Sequence, residues 1–182
     1  MLAVYPARVH PKLRQRARKG IPDSYRVFAW KRLLLNHPRL QVEKGLYERL
    51  SEVQEVNKDV KWILKDITRT FPHHVFFKDR FGKGQKTLFK VLVAISAYFK
   101  ETGYVQGMGY IVGLLLTYMD EEETFWAVVS LFNNYNLKRY FLPKMPGLNV
   151  SFYVLLRLMK ENVPKVHARF MELGFEPASY AS

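Results

Sequence analysis

Residues 60–71 constrain the fold of this chain more than any other stretch. Val60, Ile63, Leu64, Ile67 and Phe71 recur at i, i+3, i+4, i+7 and i+11, the spacing of one face of an α-helix. Pro72 follows, and the residue before a proline is driven out of the helical region, so this helix should stop near Thr70 or Phe71. The same period recurs along the chain. Val27, Trp30, Leu33 and Leu34 mark a helix that ends before Asn36-His37-Pro38, and Leu88, Leu92, Ile95 and Phe99 mark another. A nearly all-apolar helix is expected over about residues 106–118. Asp120 and Glu123 have the spacing of a capping box and open a helix whose buried face is Phe125, Val128, Val129 and Phe132. Two more helices are expected over residues 152–160 and 166–173. No run alternates apolar and polar residues between turn signals, so the fold class is all-α.

Composition narrows the function. The 182 residues contain no cysteine, which excludes a disulfide framework, a thiol nucleophile and any thiolate metal site, and leaves a reducing, cytoplasmic compartment as the default. No secretory leader is expected, because the apolar run at residues 1–6 is too short and Pro11 and arginines follow it. The longest uncharged stretch, residues 102–119, contains Gln106 and four glycines and reads as a buried helix rather than a membrane span. Lys and Arg number 29 against 16 Asp and Glu, a net charge of +13. Six of those cations (Arg8, Lys12, Arg14, Arg16, Arg18 and Lys19) precede the first acid, Asp23. Residues 1–19 are therefore expected to be an exposed basic lead-in suited to an anionic surface, and residues 20–182 the folded domain. Nucleic acid is disfavoured as the partner, because no recognition motif and no interleaved aromatics accompany the charge apart from Tyr5.

Most polar clusters have plain explanations. Residues 82–87 are glycine- and lysine-rich, but Gln85 stands where a nucleotide-binding loop needs glycine, and no buried strand precedes it. His73 and His74 are adjacent and lack metal-ligand spacing, so they read as capping or solvated side chains. Two positions stand out. Arg69 falls almost opposite the apolar face of its helix, and Asp66 at i−3 can hold its guanidinium, although on spacing alone an exposed arginine at a helix C-terminus is the plainer reading. Gln106 lies among glycines at the mouth of an apolar helix, where it is either a buried amide bonded to neighbouring backbone or a polar group presented beside exposed backbone N–H groups.

Taken together, the motifs resemble the TBC domain of Rab GTPase-activating proteins. Arg26, Trp30 and Leu33 match an Arg-x-x-x-Trp-x-x-Leu opening, preceded by Gly20-Ile21-Pro22. Ile63, Asp66 and Arg69 match Ile-x-x-Asp-x-x-Arg, followed by Thr70-Phe71-Pro72. Tyr104 and Gln106 match Tyr-x-Gln, followed by Gly107-Met108. The resemblance implies a helical domain that supplies two catalytic side chains in trans to a GTP-loaded Rab: Arg69 as arginine finger and Gln106 as the group that orients the attacking water. Asp66 would hold Arg69, and Arg26, Trp30, Ile63 and Tyr104 would fix the two fingers by packing. It also implies no cofactor of the chain's own, GTP and magnesium belonging to the partner, and a cytoplasmic role in vesicle trafficking with peripheral contact at endomembranes. The family's domain continues past the segment matched by residues 177–182 into a second helical subdomain. The expectation is thus the finger-bearing N-terminal part, with apolar surface left uncovered; the alternative is a non-catalytic scaffold that binds a GTPase or another partner.

Overall fold

The computed structural model describes residues 11–52 and 58–180. Nine α-helices occur among them: α1 (Pro11–Arg18), α2 (Asp23–Leu34), α3 (Leu46–Ser51), α4 (Val60–Ile67), α5 (Lys83–Tyr98), α6 (Met108–Leu116), α7 (Glu121–Asn133), α8 (Pro146–Asn162) and α9 (Pro164–Glu172). Single 3-10 turns cover Leu137–Tyr140 and Pro177–Ser179. No strand occurs among the described residues, and no helix there is long and apolar enough to cross a membrane.

The architecture is organised around α5. Ten of its sixteen residues are buried, and α3, α4, α6 and α7 pack around it. A helix that is apolar on nearly every side has to sit at the centre of such a bundle. Its start is held by backbone contact and one amide. Gly84 lies against the Phe76 carbonyl, and a Cβ there would fall 1.8 Å from that oxygen. Gln85 donates through Nε2 to the Phe77 carbonyl at 2.9 Å and accepts from the Phe81 N–H at 3.0 Å. The glycine and the glutamine of the phosphate-loop look-alike are therefore committed to closing the 71–82 turn onto α5. His74 serves the same turn: its Nδ1 accepts from the Phe76 N–H at 3.2 Å.

The capping box at α7 is present, with Glu123 N–H donating to Asp120 Oδ1 at 2.8 Å and Asp120 N–H to Glu123 Oε2 at 3.2 Å. Lys31 on α2 adds a 2.6 Å ion pair to Glu123. Burial tends to raise the Glu123 carboxyl, but the Lys31 and Asp120 hydrogen bonds outweigh it and hold the pKa below the usual carboxylate range.

Four elements differ from expectation; α8 begins at Pro146, six residues before the start expected at 152. The basic lead-in contains a helix, α1, whose described side chains are exposed; residues 1–10 lie outside the described residues. The helix α3 had no counterpart in the periodicity because it is only six residues long. It anchors through Tyr47, which donates to Glu121 Oε2 at 2.8 Å and packs on Phe125. Finally, α4 stops at Ile67 rather than at residue 70 or 71. Thr70 takes the Asp66 carbonyl with both its N–H (3.0 Å) and its Oγ1 (2.8 Å), and this local competition tightens the chain into a turn. Leu64, placed on the apolar face by spacing, is 48% exposed, because α5 and α6 cover only the Ile63–Ile67 stripe. At the far end, α8 buries only Gly147, and apolar side chains such as Val150, Tyr153 and Leu158 are exposed.

Candidate functional site

Arg69, Asp66, Tyr104 and Gln106 line one hollow, together with Thr70, Gly107, Gly109 and Tyr110. The α4 helix and its closing turn supply one bank, and the 103–107 turn with the first residues of α6 supplies the other. Asp66 is the joint between them. Its side chain is 11% exposed; one carboxylate oxygen pairs with Arg69 Nη2 at 2.5 Å, and the other accepts from the Tyr104 hydroxyl at 2.6 Å. Burial pushes the Tyr104 phenol above its ordinary range, and the hydrogen bond to Asp66 adds to that shift. Tyr104 therefore stays a neutral donor to the carboxylate that holds the arginine.

Arg69 keeps 52% of its side chain in solvent, so its guanidinium is tethered at one nitrogen and accessible to a partner. The Tyr110 hydroxyl reaches the Arg69 carbonyl at 3.5 Å, and the Tyr110 ring packs edge-on against Phe71. Gln106 is exposed, in the turn before α6, so of its two sequence readings the buried amide is excluded. Gly107 has φ of 99° and starts α6 in a conformation that side chains disfavour. Gly109 lets α6 approach the α4 turn: a Cβ there would sit 2.9 Å from Thr70 Oγ1.

A residue overlooked in the sequence supports this arrangement. Asp59 precedes α4 without capping it. Its Oδ2 instead accepts from the Tyr104 N–H at 2.7 Å and from Ser96 Oγ at 2.5 Å. One buried carboxylate thus ties α4, α5 and the Gln106 turn together. Its only sequence signal was an acid at a predicted helix start.

The remaining motif residues lie elsewhere. Ile63 is fully buried in the core beneath Asp66. Arg26 and Trp30 do not line the hollow; they dock α2 onto the residues after α6. Arg26 donates to the Tyr118 hydroxyl at 2.6 Å, to Asp23 at 2.9 Å and to the Ile21 carbonyl at 3.0 Å. Trp30 and Tyr118 pack edge-on at 4.9 Å. No group of three or more His, Asp or Glu side chains with metal-binding geometry occurs among the described residues.

The hollow has a volume of about 70 Å³, far below the roughly 300 Å³ at which small-molecule sites begin. The class is an all-helical domain with Arg69 and Gln106 on the rim of one small hollow. Its sequence matches the family model described as Rab-GTPase-TBC domain over residues 23–182, and the chain belongs to that family.

The relatives agree. The chain is 36% identical over 175 residues to the Drosophila melanogaster ecotropic viral integration site 5 ortholog, covering 96% of this chain and 21% of that protein. It is 38% identical over 165 residues to the Caenorhabditis elegans Rab GTPase-activating protein eat-17, covering 91% and 18%. It is 38% identical over 172 residues to the Saccharomyces cerevisiae GTPase-activating protein MSB4, covering 90% and 35%. The crystal structure of the Chlamydomonas flagellar RabGAP TBC domain superposes with a TM-score of 0.75 at 27% identity, over 96% of this chain and 57% of that one. The chain therefore spans from just under a fifth to about a third of these curated relatives' lengths.

Proposed function

We propose that this domain accelerates GTP hydrolysis on a Rab-family GTPase, with Arg69 inserted beside the phosphates and Gln106 orienting the attacking water. The observation that carries the reading is the Asp66 carboxylate, which holds Arg69 at 2.5 Å and Tyr104 at 2.6 Å on the hollow that Gln106 also lines. Phosphoryl transfer asks little covalent chemistry of a protein. It asks for positioning and for charge where the transition state develops it, and an arginine finger contributes about 10³–10⁵ in rate. A guanidinium serves because it is planar, permanently charged and able to donate two parallel bonds; a lysine keeps the charge and loses the fork. GTP and magnesium arrive with the partner.

Single-turnover GTP hydrolysis across a panel of Rab proteins tests this. Acceleration is expected with at least one Rab, falling about 10³-fold in Arg69→Ala and strongly in Gln106→Ala. Acceleration that survives both substitutions overturns the mechanism, and binding of a Rab without acceleration overturns the catalytic role itself.

The basic lead-in supplies a second contact in the same setting. Lys12, Arg16, Arg18 and Lys19 are exposed, and each cation near an anionic lipid surface contributes about 1 kcal/mol. Co-sedimentation with phosphatidylserine vesicles should fall when residues 1–19 are deleted; unchanged sedimentation removes the membrane contact.

A further inference from the structure

We infer that the outward face of α4, centred on Trp62, seats the partner GTPase and helps set which GTPase is accepted. The inference rests on the reading above that Arg69 enters a GTPase's nucleotide site.

The face is defined by what α4 buries. Ile63 and Ile67 point into the core, at 0% and 4% exposure. At 100° per residue, Trp62 and Lys65 then fall at i and i+3 on the outward side, and Arg69 stands in the turn that closes α4. Trp62 is 58% exposed. The chain's other two tryptophans behave differently: Trp126 is buried at 3%, and Trp30 packs on Tyr118. A large ring left in water is the informative kind of exposure, and tryptophan is the residue most enriched among interface hot spots. The Lys65 ammonium lies 4.9 Å from the Trp62 ring centroid, which steadies the ring in the free protein.

Charge specifies the occupant. Between residues 58 and 69 there are four cations, Lys58, Lys61, Lys65 and Arg69, all exposed, and two acids, Asp59 and Asp66, both buried at 8%. Asp59 is turned toward Ser96 and Tyr104, and Asp66 toward Tyr104 and Arg69. The outward face is thus an aromatic ring in a wholly cationic rim, complementary to an apolar patch edged by carboxylates. Continuity with the hollow identifies the molecule bearing that patch. Five residues at 1.5 Å each put Trp62 about 7.5 Å from the end of α4 at Ile67, and Arg69 follows two residues later, well inside the roughly 800 Å² that each partner buries in a standard interface. A GTPase whose phosphates meet Arg69 covers Trp62 in the same pose. Half-exposed Tyr110 forms the opposite bank.

The test uses the chain of residues 1–182 with Rab proteins loaded with GDP, magnesium and aluminium fluoride for affinity, and with GTP for kcat and KM. Trp62→Ala should raise Kd and KM about 10- to 30-fold while kcat stays within about twofold. Trp62→Phe should recover most of the loss. Complex formation should shift tryptophan emission to the blue and protect it from acrylamide, and Trp62→Phe should abolish that change. Lys61→Glu with Lys65→Glu should raise KM and flatten its dependence on salt. Circular dichroism checks that each variant is folded, which the exposure of these side chains favours. Unchanged Kd and KM in Trp62→Ala for every Rab that Arg69 accelerates overturns this inference and leaves the mechanism standing. Acceleration indifferent to Arg69→Ala, or no complex with any Rab, overturns the mechanism and this inference with it.

Discussion

Asp66 and Tyr104, 38 positions apart in the chain, are joined by a 2.6 Å hydrogen bond from phenol to carboxylate. That bond fixes the acid which in turn fixes Arg69. It links α4 to the turn carrying Gln106, so the two finger candidates share a single structural reference. Losing it should disturb both.

Tyr104→Phe removes only the hydroxyl. The expected result is a kcat reduced about tenfold, equivalent to roughly 1.4 kcal/mol of lost transition-state positioning, with KM little changed. Arg69→Ala should cost far more, since it removes the charge rather than its alignment. A Tyr104→Phe variant with wild-type kcat would show that Asp66 needs no help in holding the arginine.

Gly109→Ala tests how closely α6 must approach. The added methyl would lie 2.9 Å from Thr70 Oγ1, the group that closes the α4 turn on the Asp66 carbonyl. Overpacking of this kind costs about 1–3 kcal/mol. Thermal melting should show the loss, and the hydrolysis assay should show a reduced kcat in the fraction that remains folded.

Gly84→Ala should be more damaging still, since its Cβ meets backbone, the Phe76 carbonyl oxygen at 1.8 Å. Neither α5 nor the 71–82 turn can yield without losing the Gln85 bonds. A loss of about 3 kcal/mol or more is expected, read as a large drop in denaturant midpoint. Stability close to wild type would contradict the close approach described here.

Arg26→Lys addresses α2. The guanidinium spans Asp23, Tyr118 and the Ile21 carbonyl, and a single ammonium cannot reproduce that fork. Destabilisation of about 1–2 kcal/mol is expected, or roughly 2–8 °C in melting temperature for a chain of this size. Because Arg26 does not touch the hollow, kcat should hold below the transition.

Alkaline pH should loosen the fold through Tyr104 and Tyr47. Burial raises both phenols above their ordinary value near 10, and the carboxylates Asp66 and Glu121 reinforce it. Below about pH 10 both tyrosines are protonated folded and unfolded, and stability is indifferent to them. Above it the unfolded chain loses protons that the folded chain retains, so stability falls as pH rises. Melting followed from pH 8 to 11 should show the decline, with a shallower slope in Tyr47→Phe and Tyr104→Phe.

Sequence alone determined what depends on neighbours three and four residues apart. The apolar stripes that make α2, α4, α5 and α7, the reciprocal cap of Asp120 and Glu123, and the order of the Arg26, Asp66–Arg69 and Tyr104–Gln106 motifs were all legible, because local spacing encodes them. Tertiary structure decided the rest. Periodicity assigned Leu64 to the core and could not see that α5 and α6 stop short of it. It gave Asp59 no role, whereas packing delivers its carboxylate to Tyr104 and Ser96. It left Gln106 between burial and exposure, and it missed α3, which is held by Tyr47 meeting Glu121 74 positions away. Contacts across such separations exist only once α5 is enclosed by its neighbours. The hollow that holds Arg69 and Gln106 together is therefore a product of that packing, not of any one segment.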